Sequence, residues 1–197
     1  MAEDDRDIHP SVAELVRTVS GLARETKGEL TADIQRIFDA LLSRTDLITL
    51  GVPRSSAHGL DSNWLYYDTE IAVSFGKARD TRVPAHDHGT WQLLAVYQGS
   101  LEYLGYRHEL GDAGHASLEV TTSVTAGQGE IIKIGAPPDD VHEWVALEPD
   151  TYILGVYPTA FTPVRKYFRG NRLGSGLQTG NKLPSRYFER PETGFGG

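Results

Sequence analysis

The 197-residue chain contains no cysteine. Disulfides, zinc–thiolate sites and a cysteine nucleophile are thereby excluded, so a metal must be held by His, Asp, Glu or Gln. No apolar run approaches the roughly 20 residues that a bilayer-spanning helix requires. The opening Met1-Ala2-Glu3-Asp4-Asp5-Arg6-Asp7 lacks the basic-then-apolar order of a secretory signal, and a cytoplasmic location away from membranes is expected. Cations are in the minority, 19 Lys and Arg against 27 Asp and Glu, for a net charge of −8. That balance argues against nucleic acid as a partner, which calls for a basic surface. The exception is local: five arginines, Lys166 and Lys182 lie between Arg165 and Arg190 against the single Glu189. Such a basic tail can equally meet the acidic body of its own chain.

With 39% hydrophobic and 23% charged residues, the composition is that of an ordinary globular protein. The length suits one domain over 1–197, in three parts: a helical segment over 10–45, a barrel over 60–165 and an irregular arm over 170–197. In the first part Val12, Leu15, Val16, Val19 and Leu22 recur at three- and four-residue spacing, one face of a helix from Ser11 to Arg24. Ser11 with Glu14 forms a capping box, and Gly28 breaks the pattern. A second helix over Thr31–Ser43 presents Ile34, Ile37, Phe38, Leu41 and Leu42. After Pro53, eight short β-rich runs follow one another without helices: Trp64–Tyr67, Ile71–Phe75, Gln92–Tyr97, Leu101–Arg107, Ser117–Val124, Glu130–Ile134, His142–Leu147 and Tyr152–Tyr157. Helices first and a sandwich or barrel afterwards make the chain mainly β.

The chemistry-bearing segment is Pro84-Ala85-His86-Asp87-His88-Gly89-Thr90-Trp91-Gln92. In a strand, residues two apart share a face, so His86 and His88 are expected to project together, with Gln92 on the same parity and Trp91 opposite. A third ligand must come from another strand. His142, in Pro137-Pro138-Asp139-Asp140-Val141-His142-Glu143-Trp144, is the best placed, and Trp144 shares its parity. His108 and His115 flank a polar Gly-Asp loop and are expected to be solvated, His9 is terminal, and His58 could approach a pocket mouth. A His-x-His pair alone is weak evidence of a metal site. Here His86-x-His88-x3-Gln92-x6-Gly99 follows the first cupin motif, with Gln where Glu is usual. Three neutral histidines leave an ion its full charge and open positions, which suits Fe(II) binding substrate and O2 side by side. Ligand type leaves zinc, manganese, nickel and copper open, zinc as an activator of water. Gln92 is open between a fourth ligand and a donor beside the metal.

His86-Asp87-His88-Gly89-Thr90-Trp91, the Gly99 turn, His142 and Tyr157-Pro158 resemble the thiol dioxygenases, the cupins that include cysteine dioxygenase and 3-mercaptopropionate dioxygenase. The likeness spans roughly Leu65 to Phe161. It implies a double-stranded β-helix (jelly-roll) barrel preceded by two helices, one Fe(II) on the three histidines, and oxidation of a small thiol by O2 to a sulfinate. It also implies that the Tyr157 hydroxyl bonds the bound oxygen or substrate. In the mercaptopropionate branch an arginine follows the tyrosine, and Arg165 lies near that place; Arg79 and Arg82 are further anchors for a substrate carboxylate. The family's Ser-x-His-x-Tyr relay is replaced by Ile153-Leu154-Gly155-Val156-Tyr157, implying a roomier and drier pocket. Two other readings therefore stay open. One is a cupin metalloenzyme acting on a bulkier non-thiol substrate, as a ring-cleaving dioxygenase or isomerase. The other is a non-enzymatic small-molecule-binding cupin. A homodimer through edge strands, helices or the arm is open as well.

Overall fold

In the computed structural model the described residues are 11–55, 60–78, 82–110, 116–159, 168, 170–171 and 177–179. Helix α1 (Val12–Thr26) begins as the capping box requires: Glu14 N–H donates to Ser11 Oγ at 3.3 Å, and Ser11 N–H to Glu14 Oε2 at 2.7 Å. It ends where Lys27 (φ 53°) and Gly28 (φ 77°) take the left-handed conformation and return N–H groups to Arg24 and Ala23. Thr31 caps α2 (Ala32–Leu42) by accepting from Ile34 N–H at 3.2 Å. Leu15, Val16, Val19 and Ala23 of α1, with Ile34, Phe38, Leu41 and Leu42 of α2, form one buried apolar face.

That face packs on a sheet. The strands are β1 (Val52–Ser55), β2 (Leu60–Tyr67), β3 (Ile71–Ala78), β4 (Arg82–His86), β5 (Gln92–Gln98), β6 (Ser100–Leu110), β7 (Ala116–Gly127), β8 (Ile131–Ile134), β9 (Val141–Ala146), β10 (Tyr152–Pro158), β11 (Gly170–Asn171) and β12 (Leu177–Thr179). They form two antiparallel six-stranded sheets, ordered β1-β2-β3-β10-β5-β8 and β11-β12-β7-β6-β9-β4. Neighbours distant in sequence, β10 between β3 and β5 and β9 between β6 and β4, make this a double-stranded β-helix, the jelly roll of the cupin class. Alternation divides each strand of the first sheet. Ile71, Val73, Phe75, Leu93, Ala95, Tyr97, Leu154 and Val156 meet the helices. Leu94, Val96, Ile132, Ile134 and Ile153 face inward against Val83, Leu101, Tyr103, Ala126, Trp144 and Ala146.

Three expectations are corrected. Val52–Ser55 is a strand, paired from Val52↔Trp64 to Ser55↔Asp61; Pro53 disguised it, although proline is admissible on an edge strand. The arm is not wholly irregular, since Leu177–Thr179 pairs with Leu118–Ala116 of β7 and with β11. Two- and three-residue strands carry no periodicity to read. His86 and His88, finally, do not share one strand: β4 ends at His86.

Candidate metal centre

The three predicted histidines converge. His86 is the last residue of β4 and lies opposite His142 of β9 in the ladder between those strands. His88 sits past the strand, yet its Nε2 is 2.8 Å from His86 Nε2. Ring centroids are 4.6 Å apart for His86–His88, 4.6 Å for His86–His142 and 4.9 Å for His88–His142. All three residues are buried, and one ring nitrogen from each lies within 4.8 Å of the others. Histidine nitrogens bind a transition metal at about 2.0–2.1 Å, so this cluster is of a size to converge on a single ion. Nitrogen-only donors suit zinc, iron, copper or nickel rather than calcium or magnesium, which prefer oxygen. On its inner side the group meets Tyr103, whose ring is 5.9 Å from that of His142. Burial pushes the Tyr103 hydroxyl above its ordinary pKa, keeping it a neutral wall.

The opposite sheet supplies Gln92 and Tyr157. Gln92 opens β5 on the parity of Leu94 and Val96, facing inward, and is 5% exposed. Its Nε2 has no hydrogen-bond partner. The β5–β10 register pairs Leu93 with Val156, and one further step sets Gln92 beside Tyr157. Trp64 closes that side, its ring 5.9 Å from Tyr157 and 5.1 Å from Tyr67, edge-on to each. Gly155 lies between Ser74 and Leu94 in the ladders. A Cβ built there would meet Ser74 Oγ at 3.4 Å and Tyr157 Cε1 at 3.5 Å, ordinary contact. A methyl group would therefore fit at Gly155 in contact with both Ser74 and Tyr157. Ser74 was not foreseen as a neighbour; only the β3–β10 register brings it there.

The remaining candidates fall elsewhere. Arg82 donates through Nη2 to Glu143 Oε2 at 2.6 Å, and that hydrogen bond holds its guanidinium pKa high. Glu143 also accepts from the Tyr106 hydroxyl at 2.7 Å. As the strand neighbour of His142, Glu143 belongs to the other face of β9, so this network lies outside the barrel. His58, Arg79 and Arg165 lie outside the described residues. His108, expected in solvent, is instead mostly covered: its side chain is 12% exposed and its Nδ1 lies 3.5 Å from Asp140 Oδ1. Trp91 packs with the helices, as its parity required, and Trp144 lies in the barrel interior.

No protein-family model matches the chain, and no curated protein does. Among solved structures it is similar to KdgF from Halomonas sp., at 19% identity over 54% of this chain and 85% of that one, with a TM-score of 0.40. It is also similar to the polyketide cyclase RemF from Streptomyces resistomycificus, at 16% identity over 70% of this chain and 82% of that one, with a TM-score of 0.43. An RmlC-like cupin from Shewanella frigidimarina NCIMB 400 matches at 15% identity over 55% and 83% of the two chains, with a TM-score of 0.41. No helix among the described residues is long and apolar enough to cross a membrane.

Proposed function

We propose that this chain is a mononuclear Fe(II) enzyme of the thiol dioxygenase type, oxidising a small organic thiol with O2 to a sulfinate. The observation that carries the proposal is the buried group of three histidines with no carboxylate among its members. His86, His88 and His142 would hold the ion, which when bound would supply a site for thiolate and O2 together and a route for electrons from sulfur to O2, with no net change in its own oxidation state. Everything else falls to the chain. Leu94, Val96, Ile134, Tyr103 and Trp144 exclude water from the barrel. Tyr157 presents a hydroxyl as donor, and Gln92 Nε2 offers a buried N–H with no partner among the described residues. The quoted motif residues support the thiol reading. The substrate's carboxylate anchor, if it has one, is assigned to Arg165 in this reading.

Ile153 and Gly155, standing where the resemblance calls for a Ser and a His, favour one rival, the same barrel and histidines acting on a bulkier non-thiol substrate. The deciding experiment is metal analysis of protein purified without added metal. Oxygen uptake of the Fe(II)-loaded protein with 3-mercaptopropionate, cysteine and cysteamine follows. Thiol-dependent uptake with a sulfinate product supports the first reading. Iron binding without thiol turnover, alongside turnover of an aromatic diol, moves the function to the rival. Protein that takes up no metal refutes both. Within the first reading, His86→Ala, His88→Ala and His142→Ala each lose iron and turnover together; full iron and full turnover in any one of them would remove that residue from the ligand set.

A further inference from the structure

The ladder between β4 and β9 places two of the three histidines, since His86 and His142 are opposite residues in it. It cannot place the third. His88 lies two residues beyond the end of β4, where no strand partner determines the backbone. Its backbone position is instead defined by a side chain. Asp140 Oδ2 accepts from the N–H of His88 at 3.3 Å and from the N–H of Gly89 at 2.7 Å. Two successive N–H groups directed at one carboxylate oxygen form a small anion-binding concavity. The left-handed φ of 73° at Gly89 belongs to that turn.

Asp140 is itself anchored. It immediately precedes β9, two residues before His142, and is 1% exposed. Its second oxygen, Oδ1, lies 3.5 Å from His108 Nδ1, and neither atom has a hydrogen-bond partner among the described residues, so the hydrogen bonds of this carboxylate are those of Oδ2. The ring of Phe168 lies against His108, 6.2 Å between centroids, and the Phe168 N–H donates to the Ala85 carbonyl, one residue before His86. One carboxylate therefore links the start of the strand carrying His142 to the loop carrying His88. An exposed loop turn would need no such group; burying a carboxylate is costly unless its hydrogen bonds are made.

We infer that Asp140 is a positioning residue of the metal centre, holding the His88–Gly89 backbone so that the third imidazole meets the other two. The inference rests on the proposed metal-binding reading. In Asp140→Ala the two N–H groups lose their acceptor, and His88 is released while His86 and His142 keep their ladder. Co(II) affinity, measured by titration of the full-length protein with a competing chelator, should fall by about 10- to 100-fold. The visible Co(II) bands should change as one nitrogen ligand is lost. Asp140→Asn keeps an oxygen acceptor and should recover most of the affinity and the wild-type spectrum. Asp139→Ala is the control: its carboxylate pairs with Arg107 at 2.8 and 2.9 Å in the same turn, and its loss should leave Co(II) binding unchanged.

Amide hydrogen exchange of the metal-free protein tests the same contact without metal. Exchange at His88 and Gly89 should accelerate in Asp140→Ala but not in Asp139→Ala. Wild-type protein that binds no Co(II) refutes the metal-binding reading, and the positioning inference falls with it. Wild-type protein that binds Co(II), with Asp140→Ala binding equally well or exchanging no faster at His88 and Gly89, overturns the inference while leaving that reading intact. If Asp140→Ala does not fold, a roughly 10-fold or greater loss of Co(II) affinity in Asp140→Asn with exchange at His88 and Gly89 as slow as in wild type would overturn it too.

Discussion

Gly28 offers a prediction whose size follows from two separable terms. Its φ of 77° lies in the left-handed region, where a residue with a Cβ costs roughly 1–2 kcal/mol. A Cβ there would also sit 2.1 Å from Cε3 and 2.3 Å from Cδ2 of the Trp91 indole, closer than real side chains come. Trp91 is partly buried and packs against the core that the helices share with the sheet, so relief requires moving a packed ring, at about 1–3 kcal/mol. Gly129 isolates the first term: its φ is 90° and nothing lies within 4 Å of a built Cβ. Alanine also reduces the freedom of the unfolded chain by about 0.4–1 kcal/mol, equally at both sites. Gly129→Ala should therefore destabilise by about 1 kcal/mol and Gly28→Ala by about 3 kcal/mol. At about 2–4 °C per kcal/mol for a domain of this size, the Tm should drop by roughly 2–4 °C in the first and roughly 6–12 °C in the second. Thermal unfolding followed by far-ultraviolet circular dichroism reads both. Equal shifts would refute the packing term and show that the Trp91 ring yields without cost.

Three further predictions concern the barrel and its pH response. Gln92→Leu removes a buried N–H donor without a partner, so in urea titration the metal-free protein should be more stable by about 1 kcal/mol; the same variant should lose turnover of the loaded enzyme, and a loss of stability would mean that Nε2 is satisfied in solution. Tyr157→Phe should keep its iron and slow thiol-dependent oxygen uptake by about fivefold to tenfold, the worth of one hydrogen bond; unchanged uptake would exclude the hydroxyl from the reaction. Asp68 links the turn before β3 to α1. Burial pushes its carboxyl up, but the N–H groups of Ile71 and Glu70, the Tyr66 hydroxyl and the Arg24 charge outweigh this and bring it down to about 2. The folded value lies below the unfolded one of about 3.9, so its stabilisation is complete above about pH 4 and lost as pH falls through about 2. Asp68→Asn should therefore flatten the acid limb of the stability curve between those values, and an unchanged limb would refute the assignment.

Periodicity and caps act within a few residues, and what depended on them alone was legible in the amino-acid sequence. Ser11 and Glu14 cap each other across three residues, and the stripes of α1 and α2 repeat at helical spacing. The eight longer β-rich runs each appear as a strand, with ends shifted by a few residues. That His86, His88 and His142 would gather was legible as well, because His86-x-His88-x3-Gln92 and a later His142 are a pattern of residue types. The reason given for their convergence was not. Strand parity was expected to bring His86 and His88 together, whereas β4 stops at His86 and the Asp140 carboxylate holds the turn that follows. That contact spans about fifty positions, and no local rule encodes it. Gln92 likewise faces the centre from the opposite sheet, so its placement depends on the crossing between sheets rather than on counting from His88. Ser74 beside Gly155, Glu143 holding Arg82 outside the barrel, and Asp140 beside His108 are all products of register. A register is set by which faces become buried when the whole barrel closes, and that choice belongs to the tertiary structure.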